Sequence, residues 1–271
     1  MAEFKSSISD SVRTEILSQL EGIERDHKVE ILFAVESGSR AWGFPSPDSD
    51  YDVRFVYAHD PDWYLSLTPG RDVIELPIDD ELDINGWDIR KALNLMLKPN
   101  PVMLEWLSSP IRYRWSSEIC GKLEDFSRGV SHETACLNHY LSLTLQQWEK
   151  HIEGQSNVKL KKYFYATRPA MNICWLRTHP DIIPPMNFQA LMNGLDLTNE
   201  LKSEIQALIE AKSRAKEIGL APRVTVVDDF IKAEINWAKG TVSKLNPVRF
   251  DRREEANQLF RNIVKDCYLY N

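Results

Sequence analysis

An α+β fold is expected of this chain, and three features of its sequence predict it. Strand-length apolar runs at 29–35, 53–57, 73–78 and 82–87 all lie within the first 115 residues. Helix-period apolar patterns occupy most of residues 132–268. Between the first two runs lies SGSRAWGFPSPDSD, rich in Gly, Pro, Ser and Asp, the kind of loop that carries function on a rigid scaffold.

Taken in order, residues 9–27 place Val12, Ile16, Leu20 and Ile23 on one helical face, with Ser9 or Asp10 as the cap, and this helix is expected to pack on the sheet. The run 29–35 delivers the chain to Ser37, where Ser37-Gly38-Ser39 breaks it. The next strand, 53–57, ends at Asp60-Pro61-Asp62. Runs 73–78 and 82–87 read as two strands joined at Asp79-Asp80. Asp88 then suits the N-cap of the helix IRKALNLMLK, which Pro99-Asn100-Pro101 ends. Residues 102–107 read as a short helix, and IRYRW, 111–115, as a return to the sheet. A boundary near Ser116-Ser117 divides residues 1–115 from a helical domain, 116–271. Its expected helices are 132–152, 158–179, 198–218, 228–238 and 251–268, with Gly219 as a C-terminal cap and Asp251 with Glu254 as a capping box.

With 271 residues the chain can bury a sizeable core. Its 43% apolar and 27% charged composition is ordinary for a soluble globular protein. No apolar run is long enough to span a bilayer, and MAEFKSSISDSVRTEI lacks the apolar stretch of a signal peptide, so a cytoplasmic protein with no membrane partner is expected. Cys120, Cys136, Cys174 and Cys267 lie far apart without a C-x-x-C pair, which argues against a zinc ribbon or a disulfide framework. The net charge of −7 argues against a general salt-driven nucleic-acid binder and leaves room for a local basic groove. Nothing in the sequence specifies an oligomeric state.

The chemistry is concentrated between Phe33 and Tyr57. A strand carrying Asp50 and Asp52 would point both carboxylates to one face, because alternate residues of a strand share a side. Carboxylates held about 4 Å apart repel by about 4 kcal/mol at an effective dielectric near 20, a cost that a divalent cation reverses. Magnesium, or manganese in its place, is the expected occupant. Gly38 allows a sharp turn and close ligand approach, and the Ser39 hydroxyl with neighbouring N–H groups suits phosphate oxygens. A helix starting near Ser39 would add its positive end.

Gly38-Ser39, the eleven-residue step to Asp50-Tyr51-Asp52 and the apolar strand that follows resemble the signature of the polymerase-beta-like nucleotidyltransferase superfamily. Within it, SGSRAWGFPSPDSDYDVRFVY, NGWDIRKAL, NPVMLEWLSSP and VKLKKYFYATRP resemble the bacterial and phage nucleotidyltransferases of the RNA-ligase-associated polymerase-beta type. The resemblance implies a mixed β-sheet of the nucleotidyltransferase fold, with the helical domain closing over a nucleotide. It also implies a two-metal reaction in which a nucleoside monophosphate passes from a nucleoside triphosphate to a hydroxyl and pyrophosphate leaves. Asp50, Asp52 and a third acid would hold the metals. Asp83, on the strand LDINGW, is preferred for the third place over Asp88, which already reads as a helix cap.

Other residues carry two readings each. Arg40 could neutralise a phosphate or make a surface ion pair. Trp42 and Phe44 could stack on a base, although packing under the loop is the commoner fate of aromatics. Lys159, Lys161, Lys162 and Arg168 with Tyr163, Phe164 and Tyr165 form the densest basic-aromatic cluster. By itself that is a solvated face over a buried stripe. The resemblance makes Lys161, Lys162 and Arg168 candidate triphosphate or acceptor-phosphate contacts. His132, Cys136 and His139 share a helical face but lack an evident fourth zinc ligand. An RNA end is the acceptor the resemblance favours, ahead of a protein side chain or a small molecule. A catalytically inactive nucleotide- or partner-binding module is the alternative from another class.

Overall fold

The computed structural model describes residues 4–77, 81–98, 101–128, 130, 133–180, 182–214, 220–244 and 251–268. The chain forms two compact units, each built from separated segments. A sheet unit comprises Ser6–Gly38, Asp50–Val130 and Arg249–Asn271, and a helical unit comprises Met1–Lys5, Ser39–Ser49 and Ser131–Val248.

In the sheet unit, α1 (Asp10–His27) is capped by the Ser9 side chain, which accepts the Val12 N–H, and it buries Ile16, Leu20 and Ile23 at helical spacing. It packs against β1 (Val29–Glu36). A five-residue helix, α2 (Gly38–Trp42), begins at the end of this segment. After β2 (Tyr51–His59) come α3 (Pro61–Tyr64), β3 (Val73–Glu75), β4 (Leu82–Asp88), α4 (Ile89–Leu97), α5 (Pro101–Leu107), β5 (Arg112–Trp115) and α6 (Ser117–Arg128). The strands form one mixed sheet in the order β3-β4-β2-β1-β5. β2 and β4 run parallel, and every other pair is antiparallel. IRYRW thus returns to the sheet as its edge beside β1. β3 is shorter than the run 73–78, and the Asp79-Asp80 link lies outside the described residues.

The helical unit contains α7 (Glu133–His151), β6 (Asn157–Lys159), α8 (Leu160–Thr178), α9 (Phe188–Gly194), α10 (Asn199–Arg214), β7 (Leu220–Pro222) and α11 (Thr225–Val242). α7, α8 and α11 pack on one another. Val158 and Lys159, expected to open a helix, instead pair with β7 in a two-stranded ribbon, because β7 supplies the hydrogen bonds that a helical start would leave unmade. Gly219 and His132 lie outside the described residues.

The final helix, α12 (Arg253–Tyr268), belongs to the sheet unit. Its Ala256, Ile263 and Val264 share one core with Leu32, Phe33 and Val56 of the sheet, Ile89 and Leu93 of α4, and Leu123 and Phe126 of α6. The units therefore do not follow a single cut at residue 115. The apolar stripes of α6 and α12 were bound to be covered, and burial against the sheet is what covers them.

Candidate active site

β2 and β4 lie side by side in parallel register with Asp52 opposite Asp83. Burial along β4 alternates, so Leu82, Ile84 and Asp88 turn into the core while Asp83, Asn85 and Trp87 take the other face. Arg54, two residues after Asp52 and hence on its face, joins the two acids. Its Nη2 donates to Asp83 Oδ2 at 2.6 Å and to Asp52 Oδ1 at 3.3 Å. Its Nη1 donates to the main-chain oxygens of Asp83 and Val53, at 2.7 and 3.0 Å. The three side chains are 18% (Arg54), 29% (Asp52) and 32% (Asp83) exposed, so the cluster is partly withdrawn from water yet reachable.

Two neighbours fix Asp52 further. The buried Glu36, at the end of β1, accepts the Asp52 N–H on Oε1 at 2.8 Å, and its Oε2 accepts the Tyr113 hydroxyl proton. Ser37 N–H donates to Asp52 O at 2.8 Å. Gly38 has φ +58°, and a Cβ there would lie 1.9 Å from Asp52 Oδ2. Only glycine permits both that backbone and that approach.

Asp50 is placed differently from the strand reading. β2 begins at Tyr51, so alternation does not extend to Asp50, which is exposed. Among the described residues no three His, Cys, Asp or Glu side chains are grouped so as to hold a metal ion. The donor set of Asp52 and Asp83, hard carboxylate oxygens, matches magnesium or manganese in kind, and the structure brings together two acids rather than three. Asp88 sits on the opposite side of β4, fully buried. It accepts the Arg90 N–H at 2.8 Å as the cap of α4 and the Tyr64 hydroxyl at 2.7 Å. Burial pushes its carboxyl above the usual carboxylate range.

The rest of the Gly/Pro/Ser/Asp loop, Ser39–Ser49, belongs to the helical unit. Arg40 is buried, and its Nη2 donates to Ser49 O at 2.5 Å, closing the loop on itself. That inward bond arises because the loop's carbonyls need donors once buried. Gln189 Nε2 donates to Gly43 O at 2.7 Å and Lys212 Nζ to Phe44 O at 2.6 Å. Phe44 stacks on Phe164 at 4.7 Å and meets Phe188 edge-on, so packing is its fate. Trp42 lies edge-on to Tyr165, with the Arg168 guanidinium 4.7 Å from its ring centre. Arg168 is buried and donates Nε to Met186 O at 3.1 Å. Ser39, Lys161 and Lys162 are half-buried, and Lys162 Nζ lies 5.6 Å from the Tyr165 ring centre.

Glu36 and Arg54 are the two residues that sequence reasoning passed over. An acid closing a mostly apolar strand, and a cation two places after an expected metal ligand, were the available signals.

Among known proteins, residues 12–262 match the model of the family described as the RNA repair pathway DNA polymerase beta family. A Bacillus subtilis (strain 168) protein, called uncharacterized protein YcgL, is 42% identical over 257 residues, covering 95% of this chain and 98% of that one. Among solved structures, a nucleotidyltransferase-like protein from Exiguobacterium sibiricum 255-15 aligns with 93% of this chain and 80% of its own, at 8% identity and a TM-score of 0.28.

Proposed function

Because the chain belongs to the RNA repair pathway DNA polymerase beta family, we propose that it is a divalent-metal-dependent nucleotidyltransferase that moves a nucleoside monophosphate from a nucleoside triphosphate to the hydroxyl of an RNA end and releases pyrophosphate. The observation that carries the reading is the in-register pair Asp52 and Asp83, with Gly38 held against the Asp52 carboxylate.

Asp52 and Asp83, with Asp50 from the residue before β2, are the side chains that would hold magnesium or manganese. The bound cation would offset charge on the transferring phosphate and lower the pKa of the attacking hydroxyl. The chain's own residues set the stage. Glu36 fixes the Asp52 main chain, and Gly38, having no side chain, leaves the space that the Asp52 carboxylate itself fills. Within the helical unit, Ser39 and the half-buried Lys161 and Lys162 are the phosphate contacts that the family resemblance implies. Arg40 and Arg168, given their inward bonds, act by holding the loop and α8 in shape.

RNA as acceptor draws support from the family's description and from three lysines near His151 in a chain of net charge −7. Burial, then the nearby Lys162, Lys150 and Lys159, hold the His151 imidazole below its ordinary pKa. Cations so gathered suit a phosphate backbone. The Arg54 bridge favours a second reading, an inactive nucleotide-binding module in which arginine stands in for the metal charge.

Incubation of the protein with each α-labelled ribonucleoside triphosphate, magnesium and a 3′-hydroxyl RNA separates the two readings. Labelled RNA with stoichiometric pyrophosphate is expected, and its loss in Asp52→Asn. Nucleotide binding by calorimetry without any labelled product or pyrophosphate would support the inactive module instead.

A further inference from the structure

Arg54 belongs to the same face as the acids, and its placement constrains how a metal can arrive. Four acceptors hold its guanidinium: Asp83 Oδ2, Asp52 Oδ1 and the main-chain oxygens of Asp83 and Val53. The fork shape of guanidinium makes this possible. One nitrogen serves the two carboxylates while the other is anchored on the strands themselves. The side chain is therefore fixed to the scaffold and supplies one positive charge where two negative charges converge.

A magnesium ion bound to a carboxylate sits about 2.0–2.1 Å from its oxygen. Nη2 already lies 2.6 Å from Asp83 Oδ2, within the shell a cation would need. A free divalent ion entering here meets a site whose charge is half neutralised and whose nearest neighbour is a like charge. A triphosphate changes that balance, because its negative oxygens offset both the ion and the guanidinium.

We propose that Arg54 is the positioning residue of this site: it holds Asp52 and Asp83 aligned while no metal is bound, and it keeps affinity for free divalent ions low so that the metal enters as its complex with a nucleoside triphosphate. The proposal rests on the nucleotidyltransferase reading for the identity of the nucleotide, and on the Arg54 geometry alone for the effect on metal affinity. The Nη1 bonds to the Asp83 and Val53 carbonyls keep Arg54 in place when Nη2 yields an oxygen. The same residue thus stays at hand to pair with phosphate. Loss of Arg54 removes the cation that joins the two carboxylates, and a divalent ion bound there offsets their repulsion.

The test is a titration of the full chain with Mn²⁺, read by the electron paramagnetic resonance of the free ion, first without nucleotide. Arg54→Gln is expected to bind Mn²⁺ about tenfold more tightly than the wild type, the size expected for one charge removed from a partly exposed site. Asp83→Asn added to that variant should erase the gain. Arg54→Lys, which keeps the charge but not the fork, should tighten binding by about threefold and serves if the glutamine variant does not fold. A non-hydrolysable nucleoside triphosphate should raise Mn²⁺ affinity in the wild type far more than in Arg54→Gln. A merely structural role for Arg54 would loosen metal binding, so equal or weaker Mn²⁺ affinity in whichever variants fold overturns the proposal. If the shift occurs but no nucleoside monophosphate is ever transferred, the nucleotidyltransferase reading fails and the role of Arg54 stands. If transfer occurs without the shift, the role of Arg54 fails and the nucleotidyltransferase reading stands.

Discussion

Gly38 lies so close to Asp52 that a Cβ on the glycine would stand 1.9 Å from the Asp52 Oδ2 atom. The turn that ends β1 and the acid in second place on β2 are one piece of geometry, closed by the Ser37 N–H on the Asp52 carbonyl. Gly38→Ala must both adopt a left-handed backbone, at about 1–2 kcal/mol, and push the carboxylate aside. Transfer activity should fall at least about tenfold, the equivalent of 1.4 kcal/mol in the barrier, with a modest drop in Tm. Unchanged turnover in the alanine variant would detach Gly38 from the site.

Asp83 and Asp88 should separate cleanly. Asp83→Asn removes a carboxylate that pairs with Arg54 beside Asp52, so transfer should drop by about a hundredfold or more while Tm barely moves. Asp88→Ala removes the α4 cap and the Tyr64 partner, so about 1–3 kcal/mol of stability should be lost in urea unfolding. Mn²⁺ affinity in the folded Asp88→Ala fraction should match the wild type.

Glu36 offers a test of positioning by a buried acid. Glu36→Gln can still accept the Asp52 N–H and meet the Tyr113 hydroxyl, so it should fold and retain most activity. Glu36→Ala leaves both groups unpaired, for a loss of about 2–4 kcal/mol on chemical denaturation and a steep fall in turnover. Equal stability of the two variants would contradict this assignment.

The loop Ser39–Ser49 should loosen when its anchors in the helical unit are cut. Lys212→Met removes the donor to Phe44 O, and Gln189→Ala the donor to Gly43 O. Each should cost about 1–3 kcal/mol and speed amide exchange across residues 43–49 before the rest of the unit. Exchange that rises uniformly would argue against local anchoring.

Acid should weaken the sheet unit through His59. Burial holds its imidazole down to about 4, whereas the unfolded value is near 6.5. Between these values the unfolded chain binds a proton that the folded chain refuses, so this contribution to stability is full above about pH 6.5 and is lost as pH falls toward 4. Asp88 works in the opposite sense, because burial raises its carboxyl and the folded chain holds the extra proton as pH rises above its unfolded value. His59→Phe, which keeps the ring stacked 3.8 Å from Trp63, should flatten the loss of Tm between pH 6.5 and 4. An unaltered slope would assign the acid sensitivity elsewhere.

Much of the fold was legible because its signals are local. Ser9 as the cap of α1, the strand stretches of the sheet and the helical spacing of α7, α8, α10 and α12 follow from side-chain periodicity and capping chemistry. α6 and α9 were not anticipated. α9 has seven residues, too few for a period to declare itself, and α6 begins just past an expected boundary that the core does not observe. The end of the strand reading at Asp50 is of the same kind, since whether a strand begins at 50 or 51 depends on the Tyr51 N–H finding the Glu81 carbonyl.

By itself, the sequence determined the mixture of strands and helices, the glycine turn after β1 and the acids around it, because each depends on residues within a few positions of one another. Only the tertiary structure decided that Asp83 stands beside Asp52 while Asp88 turns into the core, that Arg54 bridges the acids, and that α12 returns to the sheet. Those outcomes rest on the register between β2 and β4 and on which apolar face covers which. Both are fixed by burial and hydrogen bonding between segments far apart in the chain, where no local pattern carries the information.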